Sequence, residues 1–372
     1  MLDHNVPSSR PATTGKPIHA KGDQDLGMTQ NALLLGIDLG TSRSSVVSYN
    51  GARKTVETYV GYPKDAVSRK MLKQDIIFGK AALDNRLALD LYRPLEKGVI
   101  KGSEDANNDA ERRDKNLQAA KHLLRHLVDL SSPGRDDLIY GVVGVPSRAT
   151  QKNKQAILEI AREVLDSVMI VSEPFTVAYG MEKMSDILVI DIGAGTTDLC
   201  RMHGTVPTDE DEVSYTIAGD AIDQRLYELI MQKFPRAQIT TNMCKTIKEQ
   251  YGFVSDTKDK VIVTFPEDGK PTPHDITEQV KQACEILVGP CVEGIQKLVS
   301  SFNPEFQHRL RDNILLSGGG GMMKGLNSRI EEAMKEYGGA RVTVVDEPLY
   351  AGANGALQLA LDMPAEYWQS LK

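Results

Sequence analysis

Leu188-Val189-Ile190-Asp191-Ile192-Gly193-Ala194-Gly195-Thr196-Thr197-Asp198 runs from an apolar stretch into a carboxylate, a glycine turn, two hydroxyls and a second carboxylate. The apolar part has the length and composition of a buried strand. Gly193 and Gly195 carry no Cβ to obstruct a ligand and allow torsions that other residues avoid. Backbone N–H groups presented by such a turn can ring an anion. Thr196 and Thr197 add donors, and Asp191 stands where a divalent cation could be held through water. A plain tight hairpin would use the same residues.

A second copy of this design favours the anion-binding reading. Leu33-Leu34-Leu35-Gly36-Ile37-Asp38-Leu39-Gly40-Thr41-Ser42 again places a carboxylate at the end of an apolar strand, then a glycine turn, then hydroxyls. Two like turns in one chain suggest a duplicated unit. Facing each other, they could clamp a polyphosphate and its metal from both sides.

Composition sets the bounds. A chain of 372 residues can form two domains or one large two-lobed unit with substantial cores. Its net charge of −7 is not the electrostatic footprint of a nucleic-acid binder. No apolar run approaches a membrane span. Residues 1–30 hold Pro7, Pro11 and Pro17 among scattered charges and lack an apolar signal core, so a disordered polar tail is expected there. Cys200, Cys244, Cys284 and Cys291 contain no close metal-ligand pair. They read as reduced core thiols of a cytoplasmic protein.

Along the chain, Ser44 to Ser48 and Thr55 to Val60 alternate as strands joined through Asn50-Gly51, a favoured hairpin pair. The first acidic turn therefore lies within a meander, unlike a Rossmann turn, which opens a helix. A small inserted subdomain follows to about Leu91, and Arg93 to Ile100 re-enters the main domain. Residues 102–116 are charged and aperiodic, and read as a solvated loop. Strands are expected at Leu138–Val145, Val168–Val171, Val213–Ile217, Val261–Phe265, Asn313–Ser317 and Arg341–Val345. Helices are expected at Gln151–Leu165, around Leu117 to Val128, from Phe175, from Gly219, at Thr246–Tyr251 and at Gly352–Leu361. Pro174 suits a first helical turn, which leaves Glu173 at a strand-to-helix edge. Pro266 to Pro273 reads as a turn-rich excursion, and Asp275 with Glu278 as a helix-capping pair.

Five stretches in order, Asp38 to Ser42, Glu173-Pro174, Asp191 to Thr197, Gly219-Asp220 and Gly318 to Gly321, resemble the actin, Hsp70 and sugar-kinase ATPase superfamily. Arg93-Pro94-Leu95-Glu96-Lys97-Gly98-Val99-Ile100 is similar to the re-entry segment of MreB-type bacterial actins. Val60 to Asp65, Val171 to Phe175 and Pro364 to Trp368 look closer to the magnetosome-associated bacterial actins. The resemblance implies an α/β, actin-like ATPase fold of two duplicated lobes, each a mixed sheet flanked by helices, with smaller inserted subdomains. The first lobe would span 31–184, with an insertion at about 58–92, and be completed by 348–372. The second would span 185–347, with an insertion at about 223–275.

The same resemblance implies the roles in the site. ATP or ADP would bind with Mg²⁺ held by Asp38 and Asp191. Gly40, Thr41 and Ser42 would donate to the phosphates from one lobe, and Gly193, Ala194, Gly195, Thr196 and Thr197 from the other. No lysine follows Ser42, although vertebrate actin has one there. Glu173 would orient or deprotonate the attacking water; a helix-edge glutamate favoured by the N-terminal dipole is the alternative. Gly219, Lys248, Glu249, Gly318, Gly319, Gly320 and Met322 match adenosine-contacting positions. Lys248 and Glu249 could equally be surface charges, and Met322 a core residue. The expected function is a cytoplasmic cytoskeletal ATPase that self-assembles into filaments and turns them over by hydrolysis. It would organise magnetosomes through adaptor proteins, with no direct membrane insertion. The alternatives are an MreB-like cell-shape filament and a sugar or acid kinase. The kinase would need an acceptor-side base, for which no clear second acidic cluster is visible.

Overall fold

The computed structural model describes residues 32–101 and 110–371. The tail expected at 1–30, and residues 102–109 of the expected loop, lie outside them. Two five-stranded sheets share one construction. In the first, Ala32–Leu39 is central. It pairs antiparallel with Arg43–Ser48, which pairs antiparallel with Arg53–Glu57. On its other side it pairs parallel with Leu138–Val145, and that strand with Ser167–Ser172. The second sheet repeats both order and direction around Ile187–Ile192. Thr197–Met202 and Glu212–Tyr215 lie on its antiparallel side, and Ile314–Ser317 and Val342–Val344 on its parallel side.

The duplication fixes where the carboxylates fall. Both central strands are buried along nearly their whole length, as sheets covered on two faces require. Each carries its aspartate one residue before its end. Asp38 sits opposite Ser45 and Gly144, and Asp191 opposite Asp198 and Ser317.

Each sheet has its own apolar core, and a third core is common to both. It contains Leu34 and Val142 from the first sheet, Val189, Cys200 and Leu315 from the second, and Ala353, Ala356 and Leu357. The latter three lie on the helix Ala351–Asp362, which returns to the first sheet as its apolar period predicts. This helix and Glu173–Gly180 approach closely at two glycines. A Cβ on Gly355 would lie 1.7 Å from the Thr176 carbonyl oxygen, and one on Gly180 would lie 2.6 Å from Gly355 Cα. Trp368 is fully buried at the edge of this core, stacked on Tyr140 with ring centroids 5.4 Å apart. All four cysteines are buried free thiols. Among the described residues no helix is long and apolar enough to cross a membrane.

Several local expectations are corrected. Thr55 to Val60 is not one strand. The first sheet leaves off at Glu57, and Val60–Pro63 belongs to a separate three-stranded sheet with Ile77–Phe78 and Leu89–Tyr92. Thr58 makes the break, because its N–H donates to the Ser42 carbonyl at 2.9 Å and its hydroxyl to the Gly40 carbonyl at 2.7 Å. The helix expected near Leu117 is already formed at Ala110 and runs to Leu130, so 110–116 is not loop. An i,i+4 pair, Lys115 Nζ to Glu111 Oε1 at 2.6 Å, supports that first turn, and Asn116 is buried. Val213 to Ile217 shifts to Glu212–Tyr215.

Pro266 to Pro273 is a β-hairpin rather than an excursion. Ile262–Glu267 pairs with Lys270–Asp275 across Asp268 and Gly269, which take φ of 49° and 79°. Two left-handed residues at an Asp-Gly corner make a turn that matches strand twist, and an isolated two-stranded ribbon has edges that tolerate proline. Asp275 therefore ends a strand. Its carboxylate still accepts from the Thr277 N–H at 3.2 Å and hydroxyl at 2.7 Å, but the helix Thr277–Glu285 is capped at Ile276.

Gly355→Ala tests the helix contact. Overpacking against a backbone carbonyl is expected to cost about 3 kcal/mol. The thermal midpoint should fall by roughly 6–12 °C, measured by circular dichroism.

Candidate functional site: a carboxylate cluster between two glycine turns

The two acidic turns open onto one cleft of about 310 Å³. The Asp191 turn is a hairpin after all: Gly193 N–H donates to the Thr196 carbonyl at 2.9 Å. Hairpin and anion loop are thus the same object. Among the described residues, the N–H groups of Gly40, Thr41, Ser42, Ala194, Gly195 and Thr196 have no hydrogen-bond acceptor. Unpaired donors on both sides of a cleft suit an anion with many oxygens.

Of the residues singled out in sequence, every one lines this cleft except Thr197. Thr197 begins the Thr197–Met202 strand, and its hydroxyl donates inward to the Ile217 carbonyl at 2.8 Å. Strand alternation explains this, since adjacent side chains point to opposite faces.

Asp38, Asp191, Asp198 and Glu173 form an acidic cluster. Glu173 is only 8% exposed and starts the helix Glu173–Gly180, with Pro174 in the first turn as expected. Burial, then the carboxylates of Asp38, Asp191 and Asp198, hold Glu173 well above the usual carboxylate range. Burial pushes Asp38 up to about 6. It also pushes Asp191 up to about 7, with Asp38 adding to the effect and the Ser317 hydroxyl opposing it. Asp198, raised by burial to about 6 and held down by Thr196, Ser214 and the Ser147 N–H, was legible in sequence only as a second carboxylate. Among the described residues none of the four has an ion-pair partner.

That donor set fits a divalent cation. Several carboxylates without a cationic neighbour in a low-dielectric site are stabilised by a positive ion. No three His, Cys, Asp or Glu side chains among the described residues already converge as a ligand set. A cation here would therefore complete its shell with water and anion oxygens, as Mg²⁺ does.

The other end of the cleft is built around the helix Gly219–Lys233. Gly219 and Asp220 N–H groups donate to the Gly193 and Ala194 carbonyls at 3.2 and 2.7 Å, which ties this helix start to the Asp191 turn. Lys248 is not a surface charge. Its Nζ donates to the Gly219 carbonyl at 2.7 Å and pairs with Asp223 Oδ1 at 2.7 Å. Glu249 pairs instead across the cleft with Arg43, at 2.9 Å. Gly318 to Gly321 winds into one helical turn. A Cβ at Gly318, where φ is +75°, would meet the Ile192 carbonyl oxygen at 2.4 Å, and one at Gly320 would meet Ile192 Cγ2 at 2.3 Å. Packing on the Asp191 strand therefore demands these two glycines. Only Gly319 is unobstructed. Met322 is 57% exposed and is not core.

Sequence reasoning named Asp220 within a motif but gave no site role to Asp220, Asp223 or Lys245. Asp220 and Asp223 amount to a second acidic cluster, but each is matched by a cation: Arg93 Nη2 bridges to Asp220 at 2.8 Å, and Lys248 to Asp223. Arg93 Nε also donates to the Thr41 carbonyl at 2.8 Å. The signal was present as two carboxylates three residues apart at the start of a helix, but the matching cations are distant in sequence.

The raised carboxylates give a pH signature. A carboxyl whose folded pKa exceeds its unfolded value contributes stability below the unfolded pKa of about 4 and loses it as pH rises through the folded value. For Asp191 that window runs from 3.8 to about 7. Asp191→Asn cannot ionise. Its thermal midpoint relative to the unsubstituted protein should rise between pH 5 and pH 8 in chelator, and millimolar Mg²⁺ should shrink the difference.

Residues 33–366 match the family model described as MreB/Mbl protein. The chain is 41% identical to the actin-like protein MamK of Paramagnetospirillum magneticum over 345 residues, covering 93% of this chain and 97% of that one. A MamK double helical filament superposes with a TM-score of 0.85 at 40% identity, covering 90% of this chain and all of that one. A non-polymerising MamK mutant bound to AMPPNP gives 0.67 at 40% identity, covering 89% and 99%. The repeated sheet, the paired acidic turns and these matches along nearly the whole described chain agree: the protein has the actin-like fold and belongs to the MreB/Mbl family.

Proposed function

We propose that this chain is an actin-like cytoskeletal ATPase that binds ATP with Mg²⁺, assembles into cytoplasmic filaments and hydrolyses ATP for filament turnover. The observation that carries the reading is that Asp38, Asp191 and Glu173 line one cleft between two turns of unpaired N–H donors. Likeness to a MamK filament and to an AMPPNP-bound MamK supports it. The flanking stretches that resemble the magnetosome-associated actins point to magnetosome chains as cargo, reached through adaptor proteins. Nucleic acid has no part in this reading.

In this reading the triphosphate lies between the turns, with Gly40, Thr41 and Ser42 donating from one side and Ala194, Gly195 and Thr196 from the other, while the Gly193 N–H closes its own turn. Mg²⁺ held by Asp38 and Asp191 supplies charge neutralisation for the phosphates. Gly219, Lys248, Glu249, Gly319 and Met322 border the adenosine end. There Lys248 acts by holding the Gly219 carbonyl and Asp223. Glu173 orients the attacking water and takes its proton. Its raised pKa makes it a stronger base than an exposed glutamate, which general-base catalysis near neutral pH requires.

ATP and Mg²⁺ should convert the purified protein to sedimentable polymer visible as filaments in negative stain; a protein that stays monomeric at high concentration would contradict the reading. Glu173→Ala should slow hydrolysis by about 100-fold or more while ATP-driven sedimentation persists. Asp191→Ala should weaken Mg²⁺-dependent nucleotide binding, and assembly with it.

A further inference from the structure

Three cationic side chains line the cleft: Arg43, Lys245 and Lys248. Two of them already face a carboxylate. Arg43 pairs with Glu249 at 2.9 Å, and Lys248 with Asp223 at 2.7 Å. Lys245 differs. Its Nζ donates to Ser42 Oγ at 2.6 Å, a neutral acceptor, and among the described residues no carboxylate lies within ion-pair distance of it.

Its position follows from the helix Thr241–Tyr251. Residues 245 and 249 are one turn apart and share a face. Both reach across to the 42–43 segment, whereas Lys248 turns to Asp223 within its own half. Burial pushes the Lys245 ammonium below its usual range, with nearby Arg43 and Arg93 contributing and Glu249 opposing. A half-buried cation resting on a hydroxyl gains little unless an anion completes its surroundings. Ser42 closes the first turn of unpaired N–H donors, and no lysine of that turn's own stands between Asp38 and Arg53.

We propose that Lys245 is a phosphate-binding residue supplied from across the cleft. With a nucleoside di- or triphosphate bound, its ammonium passes from Ser42 Oγ to a phosphate oxygen. The second half of the molecule then provides the cation that the first turn lacks. The proposal rests on the nucleotide-binding reading above and adds to it a contact that senses whether the nucleoside carries its phosphates. It also makes the phosphates draw the Thr241–Tyr251 helix towards residues 40–42.

The test compares Lys245→Gln and Lys245→Arg with the unsubstituted full chain, below the assembly concentration and in Mg²⁺. Affinities for ATP, ADP and adenosine are measured by displacement of a fluorescent nucleotide, and apo thermal midpoints are recorded alongside. Lys245→Gln should lose about tenfold or more in ATP and ADP affinity, the scale of one charge-assisted hydrogen bond, with adenosine affinity within about threefold of the unsubstituted protein. Lys245→Arg should recover most of the loss. Equal losses for adenosine and ATP, or no loss for ATP, would overturn the proposal while leaving the nucleotide reading standing. Failure of the unsubstituted protein to bind any of the three would overturn both.

Discussion

Four neighbouring carboxylates, Asp38 and Asp191 at the cleft and Glu173 and Asp198 buried beside them, without an ion-pair partner among the described residues, constrain the rest of this structure. Like charges in a low-dielectric site repel strongly and resist ionisation. The fold does not relieve that conflict; its geometry enforces it. Each central strand carries an aspartate one residue before its end because each belongs to the same repeated unit, and the two units meet at those ends. Glu173 is brought to the same point by a helix start. Gly352, in the first turn of another helix, would place a Cβ 3.3 Å from the Asp38 carboxylate, so a helix N-terminus also faces the cluster and partly offsets its charge.

The apolar framework prevents the carboxylates from escaping to solvent. The third core takes residues from both sheets and from the helices Glu173–Gly180 and Ala351–Asp362. Its tightest point is the glycine contact between those two helices. Strand register, core and helix contact thus hold Asp38, Asp191 and Glu173 in fixed relation. A site that is costly when empty persists because several kinds of packing over-determine it, a pattern expected where local consistency yields to function.

The parts of the site legible in sequence were those whose chemistry is local. A carboxylate at the end of an apolar strand followed by glycines can be read within a dozen residues, and its repetition exposes the duplicated fold. Pro174 likewise announces the helix that carries Glu173. What could not be read depends on direction or on long range. Thr196 and Thr197 are equivalent in composition, yet alternation along a strand turns one to the cleft and the other to Ile217. Lys245, Lys248 and Glu249 sit on one helix, yet their roles separate because Ser42, Asp223 and Arg43 lie elsewhere in the chain. The glycines at 318 and 320 read as room for a ligand, whereas Ile192 is what excludes their side chains. The Asp268-Gly269 hairpin was masked by three flanking prolines, which suit turns in general but here occupy the edges of a two-stranded ribbon.

The cross-cleft contacts differ in kind from the cluster they surround. Arg43 and Glu249 are each 35% exposed, and Arg93 and Asp220 are 24% and 38% exposed. Pairs so open to water contribute about 1 kcal/mol or less each. They set the register of one side against the other but are too weak to hold the cleft closed against four neighbouring carboxylates. Lys245 on Ser42 adds a neutral contact only. The sign of the closing free energy is therefore set by what lies between the turns, since only a bound cation and anion convert the acidic cluster from a source of repulsion into a ligand set. A ligand shifts such an equilibrium by its differential affinity for the closed form. In the proposed cytoskeletal role, a filament contact that touches both halves would read the occupancy of the cleft through the spacing of these turns.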